Sequence, residues 1–297
     1  MLKMILVIIA TSASTSANST SVPDLVKVFL QFFWVPIMVP IVIFVAKKIF
    51  SRIITVKEIK NTTDRDIAGF KKLYNKRIHE GLRIEAEEIL KFIGRQNNTT
   101  VEHHLCICKN AGKVVGFIKY IVSHPQKCIF VAYIAIDNTN SVVSASGVKK
   151  MLKHILHKHF NPNKAQIIVT EIEQGEQGQY NTPLAKIIAR HAAAYKMDAF
   201  YIDVPYIQPK MPGAELHVTD ERFMSLIYIP YYKPENDFIS KEEIIQIIEF
   251  VYFDVYGPSC NEVKCDCGAY TLYLKELIKT YKTDYAEYVS LKKLGRQ

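Results

Sequence analysis

The sequence predicts an α/β fold, a mixed central sheet with flanking helices, behind one apolar N-terminal segment. Three observations carry this reading. Val28 to Ala46 is a run of 19 residues without a charge. From residue 53 onward, apolar residues recur alternately at strand and at helix spacing. Strand-like and helix-like segments interleave along the chain, and that order belongs to α/β domains. The reading divides the chain into 1–17 as a signal-peptide-like stretch, 24–47 as a transmembrane helix, 53–235 as the main domain and 236–297 as a helical extension.

The apolar run has about the length that crosses a hydrocarbon core of roughly 30 Å. Pro36 and Pro40 fit a membrane helix better than a soluble one. Lys47, Lys48 and Arg52 follow it directly, whereas only Lys3 and Lys27 precede it, so the positive-inside rule places the domain in the cytoplasm as a single-pass membrane protein. The six cysteines are then expected to be reduced. Of three Asn-x-Ser/Thr sites, Asn18, Asn61 and Asn98, only the first would face the lumen. Lys3, the apolar Met4–Ala10 and Thr15-Ser16-Ala17 resemble a cleavable signal peptide, and an uncleaved apolar tail fits equally well. The net charge of +9 is spread along the chain, with no zinc finger, RRM or helix-turn-helix motif, so no nucleic acid is expected. The basic excess suits contact with the lipid bilayer and a phosphorylated ligand.

Ile53–Ile59 alternates as a strand; Asn61-Thr62-Thr63-Asp64 starts a helix, and a second helix spans Ile84–Ile93. Strands follow at His103–Lys109, Lys113–Val122 and Cys128–Asp137, the first two joined by the turn Asn110-Ala111-Gly112. A polar loop, Asn138–Ser146, leads into a helix at Gly147–Phe160. Gln166–Glu171 is a strand, Pro183–Lys196 a helix, and Phe200–Tyr206 and Ser225–Tyr231 are strands. Helices at Ser240–Tyr256 and Tyr270–Tyr281 close the chain.

This order, β-α-α-β-β-β-α-β-α-β-β, is similar to that of the GCN5-related N-acetyltransferase (GNAT) superfamily over residues 53–231. Tyr195-Lys196-Met197-Asp198-Ala199-Phe200 resembles the family's Tyr-x-x-x-Gly-Phe stretch, with Ala199 in the glycine position. Tyr206-Ile207-Gln208-Pro209-Lys210-Met211 and Leu226-Ile227-Tyr228 resemble strand endings of a bacterial subgroup, and Phe250–Tyr256 fits its tyrosine-rich C-terminal helix.

The resemblance implies an acetyl-CoA cofactor and an amine acceptor, either a small molecule or a protein. The pantetheine arm would pair with the main chain of the third strand around Ile134 and Ile136. The pyrophosphate would rest on backbone N–H groups at the start of the next helix, here Ser144, Ala145, Ser146, Gly147 and Val148. Val142 stands where the family has Gln or Arg, and this departure favours the alternative of a non-catalytic membrane-bound structural or interaction protein. Tyr195 matches the general acid, and Glu171, Glu173 and Asp137 at strand ends are base candidates. Strand alternation sends His103 to one face and His104, Cys106 and Cys108 to the other, which reads as buried cysteines. His154, His157 and His159 read as solvated. Cys260, Cys265 and Cys267, three thiols within eight residues, would suit zinc if His217 or another residue supplied a fourth ligand, but they lack a Cys-x-x-Cys pair, and no metal is expected.

Overall fold

The computed structural model describes residues 54–78, 84–93, 100–137, 141–173, 183–210, 222–234, 236–262 and 266–294. The signal-like stretch and the apolar segment lie outside the described residues. Ile53–Gln297 forms one compact unit. Its elements are β1 (Ile54–Ile59), α1 (Ile67–Arg77), α2 (Ala86–Phe92), β2 (Val101–Asn110), β3 (Lys113–Ser123), β4 (Cys128–Ile136), α3 (Ser141–His159), β5 (Ile167–Glu173), α4 (Pro183–Ala194), β6 (Phe200–Ile202), β7 (Tyr206–Gln208), β8 (Arg222–Pro230) and β9 (Phe238–Ser240). Then come α5 (Lys241–Glu249), a π-helical segment (Phe250–Tyr256), α6 (Gly257–Glu262), α7 (Cys267–Asp284) and β10 (Tyr288–Lys293).

The strands form one mixed sheet in the order β1-β2-β3-β4-β5-β8-β6-β10-β9, with β7 on the edge of β8. Among the described strands only β4 and β5 pair in parallel. The alternation that marks each strand in the sequence is the alternation between two covered faces. On one face, Leu105, Ile107 and Phe117 meet α1 and α2, while Phe130, Val169 and Leu226 meet the C-terminal helices. On the other face, Cys106, Ile118, Ile129 and Ile168 meet Met151 and Ile155 of α3 and Ala185 and Ala189 of α4. The β2–β3 hairpin turns through Ala111 (φ 48°) and Gly112 (φ 83°), the left-handed pair that a two-residue turn demands.

Three expectations change. Helix α3 begins at Ser141, so Val142–Ser146 is helix rather than loop. Gly147 lies in its second turn against β4 and β2, where a side-chain carbon would collide with Ile136 Cδ1 and come within 3.1 Å of Cys108 Sγ. The glycine lets the helix approach the sheet closely. The Phe200–Tyr206 strand is divided into β6 and β7, because Val204 N–H turns back to Ile202 O at 2.9 Å and Pro205 brings no donor. Cys260 is disulfide-bonded, while Cys106, Cys108, Cys128 and Cys267 are free, so not all cysteines are reduced.

Residues 236–297 also add β9 and β10 to the sheet, and their helices pack on its core. Their tyrosines satisfy the backbone around β7, whose flanking prolines interrupt regular pairing. Tyr281 Oη accepts from Ile207 N–H at 2.8 Å, and Tyr252 Oη donates to Ile207 O at 2.5 Å. Tyr285 and Tyr270 donate to the carbonyls of Pro205 and Lys210 at 2.6 and 2.8 Å.

Candidate active site

The parallel ladder between β4 and β5 contains four residue pairs and ends at Val131–Thr170. Beyond it both strands continue, as Ala132–Ile136 and Glu171–Glu173, without pairing to each other. A bulge at the same level separates them: the β3–β4 register jumps from Tyr120–Val131 to Lys119–Tyr133, leaving Ala132 without a partner and bending β4 away. Thr170 Oγ1 donates to Val131 O at 2.9 Å and closes the last rung. The two strands therefore part beyond Val131–Thr170, and α3 starts shortly past the end of β4.

Glu171 is the first residue of β5 beyond the ladder. Tyr206 Oη donates to its Oε1, and Tyr256 Oη (2.6 Å) and Gln208 Nε2 (3.1 Å) donate to its Oε2. Gln208 also reaches Tyr256 Oη at 2.9 Å. Burial raises the Glu171 pKa above the usual carboxylate range, outweighing the three hydrogen bonds that favour the anion. Burial first, and the Glu171 charge second, push Tyr206 and Tyr256 well up, so both phenols keep their protons.

Gln208 and Tyr256 continue into a cavity of about 30 Å³ bounded by Ala132, Tyr133, Phe130, Ser259 and Lys119. Lys119 is 3% exposed and makes no hydrogen bond or ion pair among the described residues. Its ammonium lies 5.9 Å from the ring centres of both Phe92 and Tyr133, and burial lowers its pKa to about 8. Aromatic faces offset part of the desolvation cost. No sequence pattern announces this lysine, since it occupies a strand position that reads as one more charge.

The predicted site residues fall in different places. Ile134 and Ile136 lie on β4 beyond its ladder with β5. Ala145, Ser146, Gly147 and Val148 are inside α3, where their N–H groups belong to the helix, as does that of Ser144; the first-turn groups without an acceptor inside the helix are those of Ser141–Val143. The side chain of Ser144 is outside the described residues, and so is that of Glu173. Tyr195 ends α4 on the opposite face from Glu171 and donates to Lys149 O of α3 at 3.3 Å. Asp137 is held by Arg77 Nη2 at 2.7 Å, which leaves it a poor base. The β2 cysteines are buried as expected, with the Cys106 and Cys108 thiols raised to about 12 and 11 by burial. His159, expected in solvent, is buried against His104, and His154 is half-buried beside Glu58.

No protein-family model matches the chain, and no curated protein matches it. Among solved structures it is similar to a protein from Bacteroides thetaiotaomicron assigned to the GNAT acetyltransferases (19% identity, 68% of this chain and 98% of that one, TM-score 0.46). It is also similar to the ribosomal-protein-S18-alanine N-acetyltransferase from Escherichia coli (12% identity, 62% and 97%, TM-score 0.38). A third is the microcin C7 self-immunity acetyltransferase in complex with acetyl-CoA and AMP (10% identity, 58% and 91%, TM-score 0.36). TM-scores below 0.5 assign neither fold nor family by themselves, so the functional reading rests on the strand opening.

The unpaired Lys119 has a measurable signature. Its folded-state pKa lies below the unfolded value, so the unfolded chain binds more protons between about pH 8 and 10.5, and stability rises with pH across that window. Lys119→Met should raise unfolding free energy at pH 7 by up to about 3 kcal/mol and remove that part of the slope. Urea unfolding of both proteins across the window checks this; parallel slopes would contradict a buried, unpaired ammonium.

Proposed function

We propose that this chain is an N-acyltransferase of the GNAT type, moving an acetyl group from acetyl-CoA to an amine. The observation that supports this best is the parallel β4–β5 ladder that ends at Val131–Thr170, so that beyond Val131 the β5-side edge of β4 has no pairing to β5 and runs on beside the Glu171 carboxylate and its tyrosine partners. Such an edge takes an amide-bearing arm in extended form. The first-turn N–H groups of α3, from Ser141 to Val143, suit a pyrophosphate. Lys149 is exposed nearby, whereas Lys150 is tied to Ile54 O.

When bound, the cofactor supplies an activated acyl thioester. Glu171 accepts the proton that the amine must lose, and its raised pKa makes it a stronger base than an ordinary carboxylate. Gln208 and Tyr206 hold the carboxylate in place. Tyr256 lines the cavity and keeps a proton at Oη for the leaving group; Tyr195, engaged with Lys149 O, is the second choice for that role. An amine on a protein or a small molecule is the acceptor. Val142 and the helical state of Ala145–Val148 favour the non-catalytic alternative.

Calorimetry with coenzyme A separates the two, because the structural alternative predicts no binding at millimolar concentration. Glu171→Gln should leave coenzyme A affinity unchanged and lower kcat/KM by roughly 10²–10⁴-fold. In the wild type, kcat/KM should fall as pH drops through the raised Glu171 pKa, and the variant should lose that limb. Equal activity of the variant would remove Glu171 from the chemistry.

The membrane part of the proposal rests on the sequence from Val28 to Ala46 and the basic residues after it, with the domain on the cytoplasmic side. The disulfide at Cys260 pulls the other way, since such bonds persist in oxidising compartments. Removal of residues 1–47 should release the protein from membranes, and sealed vesicles should shield the full-length domain from added protease. Digestion from outside would reverse the orientation.

A further inference from the structure

On the face opposite Glu171, the far end of α3 meets β2 and β1 in a cluster of imidazoles and carboxylates. His104 Nδ1 contacts Glu58 Oε1 at 2.6 Å, and His104 Nε2 contacts Glu102 Oε2 at 3.0 Å. The His159 ring lies 4.6 Å from that of His104, and Tyr120 stacks on His104 at 4.8 Å. His159 is 4% exposed and its Nε2 has no hydrogen-bond partner, a costly state for a buried polar atom. His154 Nε2 is also buried without a hydrogen bond, 3.9 Å from Glu58 Oε2. One ligand atom from each of Glu102, His104 and His159 falls within 4.8 Å of the other two.

We propose that Glu102, His104 and His159 form a site for one divalent transition-metal ion of the zinc class. Two imidazoles and a carboxylate are the donors that a borderline cation prefers, whereas calcium and magnesium prefer all-oxygen sites. Donor atoms around tetrahedral zinc, with arms of roughly 2.0–2.2 Å, are closer together than 4.8 Å, so small side-chain rotations would close the cluster. The ion would replace the proton between His104 Nε2 and Glu102, and it would give the His159 nitrogen its missing partner. Glu58 already holds His104 Nδ1 as an outer carboxylate does behind a metal-bound histidine, and Lys158 holds Glu58 at 2.5 Å. His124, 2.9 Å from Glu102 Oε1 and partly exposed, marks the solvent side, where a water or this ring completes the coordination. The ion would fasten the end of α3 to β2, away from the acyl-transfer site.

Zinc titration of the full-length chain, followed by calorimetry and by thermal unfolding with and without chelator, tests this. One zinc ion per chain at micromolar or tighter affinity is expected, with a Tm that falls on chelation and returns with zinc. His159→Asn and the isosteric, surface-near Glu102→Gln should each weaken binding at least 100-fold, and Glu58→Gln by about 10–100-fold. Cys267→Ser should change nothing, and cobalt in place of zinc should show no thiolate absorption. Circular dichroism confirms that each variant is folded, and Glu102→Gln remains informative if His159→Asn is not. Absence of stoichiometric binding, or binding equally tight in a folded Glu102→Gln variant, overturns the proposal; loss of zinc on Cys267→Ser moves the ion elsewhere and overturns it too.

Discussion

Strand β4 is paired along most of its length with β3 but shares only four residue pairs with β5, and the site follows from that inequality. The parallel pair cannot continue because the bulge at Ala132 turns β4 out of register while Thr170 takes the last carbonyl with its hydroxyl. Beyond that point the two strand ends no longer bond each other inside a covered sheet, and backbone groups there need other partners. Glu171 is the first side chain past the break, and its enclosure by Tyr206, Tyr256 and Gln208 depends on β7 and on the π-helical segment.

The C-terminal helices are therefore part of the site. Tyr252, Tyr270, Tyr281 and Tyr285 bond the backbone between Pro205 and Lys210, a stretch whose short strand β7 pairs among the described strands with β8 alone. That clamp fixes Gln208 and Tyr206 on the Glu171 side. On the other face, α3 is positioned by the close approach at Gly147 and by the Lys158–Glu58 ion pair near its end. The two candidate sites share this helix: its first turn points to the strand opening, and its last turn carries His159.

Much of the sheet was legible in the sequence because strands covered on both faces write their burial directly into apolar runs. Val101–Asn110 and Lys113–Ser123 differ by only a residue or two at each end from the runs that predict them, and the element order up to β6 agrees with expectation. The start of α3 was not legible: Val142-Val143-Ser144-Ala145-Ser146 has weak helix formers, and tertiary packing decides its state. Strands β9 and β10 are short and lie next to helices, so alternation has too few residues to show. Glu171 was visible as a strand-end carboxylate, but its tyrosine partners come from 35 and 85 residues downstream. His104 and His159 were each visible alone; only the return of α3 across the sheet joins them.

If the opening between β4 and β5 receives a pantetheine arm, the main chain of Ala132–Ile136 must bond to it on the edge that β5 leaves unshared. Hydrogen–deuterium exchange of these amides, with and without coenzyme A, reads that event directly. The account predicts slower exchange at Ala132–Ile136 and at the first turn of α3 when coenzyme A is present. Unchanged exchange in both segments at a saturating concentration would contradict it.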